Sequence, residues 1–134
     1  MAAANVANVR VANIRPRHPD LRAWTEDPQN VYVGRRGVVF VADGPNTRRR
    51  FPAEDSPFAN PFKVSAAVGR EVSLQMYEGC IREKLQRDPG LRALLRSFAG
   101  KTLGCWCAPL PCHADVLVKI LGEILAADAA AKSE

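Results

Sequence analysis

The residues best suited to chemistry are concentrated in the segment GCWCAPLPCHADVL near the C-terminal end of the chain. This segment contains Cys105, Cys107, Cys112 and His113, which are three of the four cysteines and one of the two histidines. The pattern predicts a short strand that ends in the segment and a helix that begins near Pro111. We therefore expect a site where a strand ends and a helix begins, a place where ligands of open α/β sheets bind.

Three interpretations of this cluster compete. In the first, the helix dipole lowers the pKa of Cys112, which acts as a nucleophile or redox group. Cys107 or Cys105 then resolves it, and His113 tunes the thiol or relays a proton. In this interpretation Cys105 belongs to the ligand-binding residues. In the second, Cys105, Cys107, Cys112 and His113 bind a tetrahedral zinc ion, although the usual Cys-x₂₋₄-Cys knuckle is absent. In the third, Cys105 or Cys107 is a small buried apolar residue, and His113 is a histidine at the helix start that bonds the backbone.

Three polar residues upstream are further candidates for ligand binding. Arg35 follows a glycine that ends a predicted strand, and Arg70 begins a predicted helix. Two guanidinium groups can pair a phosphate or a carboxylate in a bidentate way. Asn60, in the sequence Ala-Asn-Pro-Phe, is expected to hydrogen-bond a ligand, with a cap on its own loop as the alternative.

A run of three arginines forms a basic patch outside these motifs. Arg48, Arg49 and Arg50 lie in a long, proline-broken segment, residues 47–64, that shows no period and is predicted to be a loop. The patch is expected to attract the phosphate backbone of a nucleic acid in a salt-dependent manner, with plain solubility as the alternative. No aromatic residue interleaves with the three arginines in sequence, so base stacking is not predicted.

Length and charge limit the function classes. The chain has 134 residues and a net charge of +5, which predicts one domain and favours polyanionic partners. No apolar run is long enough for a membrane span, and the start of the chain lacks a secretory signal. We expect an intracellular, cytoplasmic protein with reduced cysteines and no membrane partner, which favours metal-binding or reactive thiols over disulfides.

Periodicity predicts strands in the first half and helices in the second, hence a small single-domain α/β sheet covered by helices. The predicted core spans about residues 9–125, flanked by a frayed N-terminus and a C-terminal tail. The predicted strands are residues 8–15, 31–34, 37–46 and 101–107, and the predicted helices are residues 70–87, 88–100 and 111–132, with a short helical turn between the first two strands.

Four stretches together resemble the family known as domain of unknown function 4326: VYVGRRG, ANPF, REVSLQMYEGCI and LRALLRSFAGKTLGCWCAPLPCHADVL. The resemblance extends from about Val9 to Leu125 and implies a small intracellular domain found in bacteria, phages and large DNA viruses. It implies no particular activity. The Cys-His ending is also loosely similar to domain of unknown function 488. The chain departs from the pattern by a basic insertion at about residues 44–58, and by Ala59 and Ala114 where the family commonly has glycine.

These observations predict that the domain binds a nucleotide or a nucleic-acid-derived ligand at a Cys/His/Arg site. Whether the domain also modifies this ligand is left open. The alternative is a zinc-stabilised structural or interaction module, a virion component if the source is a virus. The sequence leaves open whether the protein is an enzyme. It also leaves open the oligomeric state and the cofactor, for which zinc is the candidate.

Overall fold

The first half of the chain contains four short strands and two short helices. The second half contains three helices, with one strand between the second and the third. The computed structural model describes residues 3–65, 67–107 and 110–132. The elements, in chain order, are β1 (Asn5–Asn8), α1 (Val11–Ile14), α2 (Leu21–Glu26), β2 (Asn30–Tyr32), β3 (Val39–Ala42), β4 (Arg48–Phe51), α3 (Arg70–Arg87), α4 (Pro89–Arg96), β5 (Thr102–Cys105) and α5 (His113–Lys132). None of the described helices has the length and apolar character that a membrane crossing requires.

A parallel sheet positions the C-terminal cysteines. Strands β1, β5 and β2 pair in that order, and both pairings are parallel. Because the strands are parallel, their carboxyl ends meet at one edge, where Cys105 ends β5 and Tyr32 ends β2. Strands β3 and β4 form a separate antiparallel hairpin. The predicted α/β class is confirmed.

The three C-terminal helices build the main core on one face of the sheet. Helix α3 has the predicted bounds, and its buried Tyr77, Ile81 and Leu85 recur at a spacing of four. That spacing places them on one stripe of the helix. Helix α5 packs against β1 and β5 and also contacts α3 and α4. The stripe therefore faces the same core as the buried residues of α5, which are Ala114, Leu117, Ile120, Leu121 and Ile124.

A smaller apolar cluster lies against the other face of the sheet. It contains Val9, Ile14, Leu21 and Trp24. A Cβ atom on Gly104 of the central strand would lie 2.5 Å from the Trp24 ring, so the close contact between β5 and this ring requires glycine.

The predicted strand over residues 8–15 is wrong, because the strand lies earlier and ends at Asn8. The Asn8 side chain accepts a hydrogen bond from the amide of Arg10, which turns the backbone. The carbonyl of Arg10 then accepts from the amides of Asn13 and Ile14, which starts a helical turn. The alternating apolar residues thus come from a turn and a short helix, and Val11 is exposed.

The segment predicted to be a loop contains strand β4, so that prediction is wrong for residues 48–51. The amide of Asp43 donates to the carbonyl of Thr47 at 2.9 Å, and this bond closes the hairpin. The predicted strand over residues 37–46 is present as β3, but it pairs with β4 rather than with the central sheet.

The last helix begins two residues later than predicted and is otherwise close to its predicted bounds. It starts at His113, so Cys112 lies immediately before the first turn rather than in it. The amide of Cys112 donates to the carboxylate of Asp115 at 2.9 Å, and the amide of Asp115 donates to the carbonyl of Cys112. This reciprocal pair caps the helix. Pro109, which precedes this helix in the sequence, lies outside the described residues, as do Ser133 and Glu134 of the predicted tail.

Candidate functional site

A cavity of about 310 Å³ lies at the carboxyl ends of β2 and β5. Its wall is formed by the residues that follow these strands, by the Asn-Pro-Phe loop, and by the beginnings of α3 and α5. This is the edge at which the sequence placed the site. The lining residues are Gly34, Arg35, Val38, Asn60, Phe62, Val64, Arg70, Ser73, Leu74, Trp106, Cys107, Cys112 and His113.

A neutral Cys–His pair forms one part of the wall. The Nε2 atom of His113 lies 2.6 Å from the carbonyl oxygen of Val33. Because a carbonyl oxygen only accepts, Nε2 must carry the proton and donate it. The Nδ1 atom of the neutral ring then has a free lone pair, and it lies 3.4 Å from the Sγ atom of Cys112. The imidazole can therefore accept a hydrogen bond from a protonated thiol at this position.

Burial keeps both members of this pair uncharged. It lowers the pKa of His113, partly offset by the hydrogen bond to Val33. The hydrogen bond to Cys105 and burial raise the pKa of Cys112 well above its usual range. The amide of Ala114 acts in the opposite direction, as a helix N-terminus should, but it is outweighed. The predicted lowering of the Cys112 pKa is therefore wrong, and the side chain is only 2% exposed.

The other two cysteines of the motif lie on the side of β5 that carries the main core. Cys105 is fully buried there, and Cys107 is half-buried against the same cluster and lines the cavity. Trp106 packs against the opposite cluster, as alternation along a strand predicts. None of the four cysteines, which all lie within the described residues, forms a disulfide. Cys105 is not among the described residues that line the cavity, but it hydrogen-bonds Cys112, which does line it.

Within the described residues, the cysteines and His113 are not grouped as metal ligands. In the described part of the chain, no three or more His, Cys, Asp or Glu side chains are grouped so that they could hold a metal ion. Both ring nitrogens of His113 are also engaged by Val33 and Cys112. The zinc alternative therefore has no ligand set in this geometry.

Arg35 holds the Asn-Pro-Phe loop in place. Its Nε and Nη2 atoms donate to the carbonyl oxygen of Asn60 at 2.8 and 2.6 Å. The backbone of Arg35 is fixed in turn, because its carbonyl accepts from the hydroxyl of Tyr32, and that hydroxyl accepts from Trp106 Nε1 at 2.9 Å. This chain of bonds joins the ends of β2 and β5. Among the described residues, Nη1 of Arg35 has no partner, which leaves one guanidinium edge available to a ligand.

Arg70 lies opposite, at the first residue of α3. Its Nη1 atom donates to the carbonyl of Pro111 at 3.3 Å, which connects α3 to the residues that precede α5. Arg35 and Arg70 therefore line the same cavity, as predicted from their positions in sequence. The basic run Arg48 to Arg50 does not line it and lies in the separate hairpin.

The side chain of Asn60 is engaged within the protein, so its predicted role as a direct ligand contact is not supported. Its Oδ1 atom accepts from the amide of Phe62 at 2.8 Å, and its Nδ2 atom donates to Ser73 Oγ at 3.1 Å. The alternative weighed from the sequence, a cap on its own loop, describes this geometry. Asn60 shapes the cavity wall.

Sequence reasoning missed two residues that fix this wall. Ser73 is fully buried and donates its hydroxyl to the carbonyl of Phe62. Tyr77, which is buried in the core, also donates its hydroxyl to the carbonyl of Phe58 at 2.7 Å, and its ring meets the His113 ring in an edge-to-face arrangement. Ser73 and Tyr77 are four residues apart on α3, and this spacing on one helix face was the available signal.

A family model described as a domain of unknown function (DUF4326) matches residues 17–123, a range that contains every residue of the cavity lining. A protein of Enterobacteria phage T4, the "Uncharacterized 12.4 kDa protein in nrdA-td intergenic region", is 27% identical over 62 residues. This similarity covers 46% of the present chain and 57% of the phage protein, so the chain spans little more than half the length of that curated relative. No solved structure matches the chain significantly.

Proposed function

The chain belongs to the DUF4326 family, whose name states no activity, and we propose from the cavity itself that the protein binds a nucleotide. The observation that carries the proposal is that Arg35 and Arg70 line the same cavity as a set of apolar and aromatic side chains. Arginine pairs favour phosphate, whereas apolar walls favour a flat, weakly polar ring system. A nucleotide combines both chemical groups in one small ligand.

The two ends of such a ligand have separate places in the wall. The apolar part of the lining includes Val38, Phe62 and Trp106, which suits a nucleobase. The guanidinium of Arg70 and the remaining edge of Arg35 suit the phosphate. The cavity volume of about 310 Å³ is at the lower end of the range for small-molecule sites, which favours a mononucleotide over a dinucleotide.

The neutral Cys–His pair supports binding rather than nucleophilic catalysis. A thiol attacks as the thiolate, and the raised pKa of Cys112 keeps the proton on sulfur in the resting protein. In this proposal the pair serves as a fixed, uncharged part of the wall. Chemical modification of the ligand by Cys112, His113 and Cys107 is the alternative hypothesis. The Cys112→Ser variant tests it in the experiments below.

The test is a calorimetric titration with adenosine 5′-monophosphate and with adenosine, repeated for the other common bases. We expect the monophosphate to bind more tightly than the nucleoside. Arg70→Ala should weaken monophosphate binding about 10- to 150-fold, the range for a lost charge-assisted hydrogen bond. The affinity for adenosine should change little.

Arg87→Ala is the matched control, because Arg87 is the last residue of the same helix and does not line the cavity. Its guanidinium pairs with Glu83. It should leave both affinities unchanged. Absence of binding for every nucleotide at millimolar concentration would refute the proposal, and so would an equal loss in the two arginine variants. Cys112→Ser retains a hydroxyl donor to His113, so unchanged binding with loss of any turnover would indicate catalysis instead.

A further inference from the structure

The β3–β4 hairpin has one inner and one outer face, set by its register. Val39 pairs with Phe51 and Val41 with Arg49, whereas Phe40 pairs with Arg50 and Ala42 with Arg48. Residues of directly opposed pairs lie on the same face, and successive pairs alternate. The inner face carries the half-buried Val39 and Phe51 and the buried Val41.

The outer face combines an aromatic ring with two arginines. Its members Phe40, Ala42, Arg48 and Arg50 are all exposed, and Phe40 is 54% exposed. These four register positions carry no acidic residue. No aromatic residue interleaves with the arginines in sequence, but strand pairing brings Phe40 beside Arg50.

The aromatic ring and its neighbour are already arranged for stacking. The guanidinium of Arg50 lies over the Phe40 ring at 4.8 Å from its centroid. Its Nη1 atom also donates to the carbonyl of Gly37 at 3.0 Å, which fixes the guanidinium plane. A planar cation held over an aromatic ring offers two surfaces on which a base can stack.

Arg49 differs from its two neighbours in both direction and pairing. It belongs to the inner face by register, and its Nε atom lies 3.7 Å from the carboxylate of Asp43. Arg48 and Arg50 stand two residues apart on the outer face, a separation of about 6.8 Å along a strand. That separation is comparable with the distance between successive phosphates of an extended strand.

We propose that the outer face of the β3–β4 hairpin, formed by Phe40, Arg48 and Arg50, binds single-stranded nucleic acid. The arginines contact the phosphates, and a base stacks on the Phe40–Arg50 pair. This proposal goes beyond the proposed function, because the surface lies outside the cavity. Val38 links the two regions, since it lines the cavity and directly precedes β3.

The chemistry of the face favours this partner over others of negative charge. An acidic protein segment would satisfy the arginines but would gain little from an exposed aromatic ring. A DNA duplex presents phosphates but keeps its bases stacked inside, away from Phe40. A single strand offers phosphates and open base faces together.

The test measures the fluorescence anisotropy of labelled 12-mers of deoxythymidine and of uridine over a series of salt concentrations. An unlabelled DNA duplex and polyglutamate serve as competitors. We expect the native protein to prefer the single strands over both competitors. Arg48→Ala should reduce the slope of log affinity against log salt by about 0.7, the value for one lost phosphate contact on a single strand.

Two matched variants separate stacking from charge. Phe40→Leu should lower single-strand affinity at least about fivefold, and Phe40→Trp should restore it, because stacking requires an aromatic face rather than apolar area alone. Arg49→Ala removes the same charge from the same strand but from the inner face, so it should change affinity less than Arg48→Ala. Thermal unfolding checks that each variant remains folded.

Three results would each overturn the proposal: no single-strand binding at low salt, equal binding of duplex or polyglutamate, or a Phe40→Leu variant that binds as well as the native protein. Phe40→Leu is also expected to keep the affinity for adenosine 5′-monophosphate. Failure at the hairpin is thereby distinguished from failure of the proposed function at the cavity.

Discussion

Replacing Ser73 with alanine should destabilise the protein and weaken nucleotide binding at the same time. One hydroxyl on α3 holds two residues of the cavity wall, because it donates to the carbonyl of Phe62 and accepts from Asn60 Nδ2. Ser73 itself is fully buried. Its removal therefore affects the fold and the position of the Asn-Pro-Phe loop through the same bonds.

The size of the effect follows from the groups left behind. A buried polar group without its partner costs about 1–3 kcal/mol. Alanine at position 73 leaves two such groups, on Asn60 and on Phe62, but both residues are only half-buried and water can reach them in part. The lower end of the range then applies to each, and the free energy of unfolding should fall by about 2–3 kcal/mol in total.

Urea unfolding of the native and variant proteins measures this difference, and calorimetry with adenosine 5′-monophosphate measures the effect on binding. Ser97→Ala is the matched control, because the Ser97 hydroxyl also donates to a backbone carbonyl, that of Leu94, but in an exposed position. It should change stability by less than about 0.5 kcal/mol. If Ser73→Ala were as stable as Ser97→Ala and bound nucleotide normally, the loop would not depend on this hydroxyl.

Two further predictions concern the neutral Cys–His pair. Burial lowers the pKa of His113, so below about pH 6.5 the unfolded chain binds a proton at this residue more readily than the folded protein does. The free energy of unfolding should therefore fall as the pH decreases, by at most about 1.4 kcal/mol per pH unit from this group. Urea unfolding between pH 7.5 and pH 5 measures the slope, and a His113→Gln variant with an undiminished slope would show that another group causes it. Iodoacetamide at neutral pH should modify the half-buried Cys80 and Cys107 before the buried Cys112. Peptide mass spectrometry gives the order of modification, and early labelling of Cys112 would contradict the raised pKa.

Helix α3 and the location of the site could be predicted because local patterns determine them. The apolar spacing along residues 70–87 continues without a break, and the helix has those bounds. The helix predicted over residues 88–100 ends earlier, at Arg96, and Gly100, with φ of +78°, ends the turn that follows it. The strand that follows and the proline before Cys112 then fix a strand-to-helix junction, and the cavity lies there.

The β3–β4 hairpin was only half predicted, because strand pairing is not a local property. Residues 39–42 are apolar enough to indicate a strand alone, whereas the arginines of residues 48–51 indicate a solvated loop when they are considered alone. A hairpin needs only one apolar face, so Arg48 and Arg50 can lie on the outer face of a strand whose Phe51 lies on the inner face. The same pairing explains why the contact between Phe40 and Arg50 could not be read from the sequence.

Cys112 shows why residue types predict the place of chemistry better than its kind. From the sequence, a cysteine beside a helix N-terminus should be acidic, and the amide of Ala114 does act in that direction. The hydrogen bond to Cys105 and the loss of solvent act against it, and both depend on residues that the fold brings into contact. Since burial disfavours a charged thiolate more strongly than a helix end favours it, the local signal has the wrong sign for the folded protein. A ligand anion held by Arg35 and Arg70 would bring a further negative charge into the same cavity, and this would favour the protonated thiol still more.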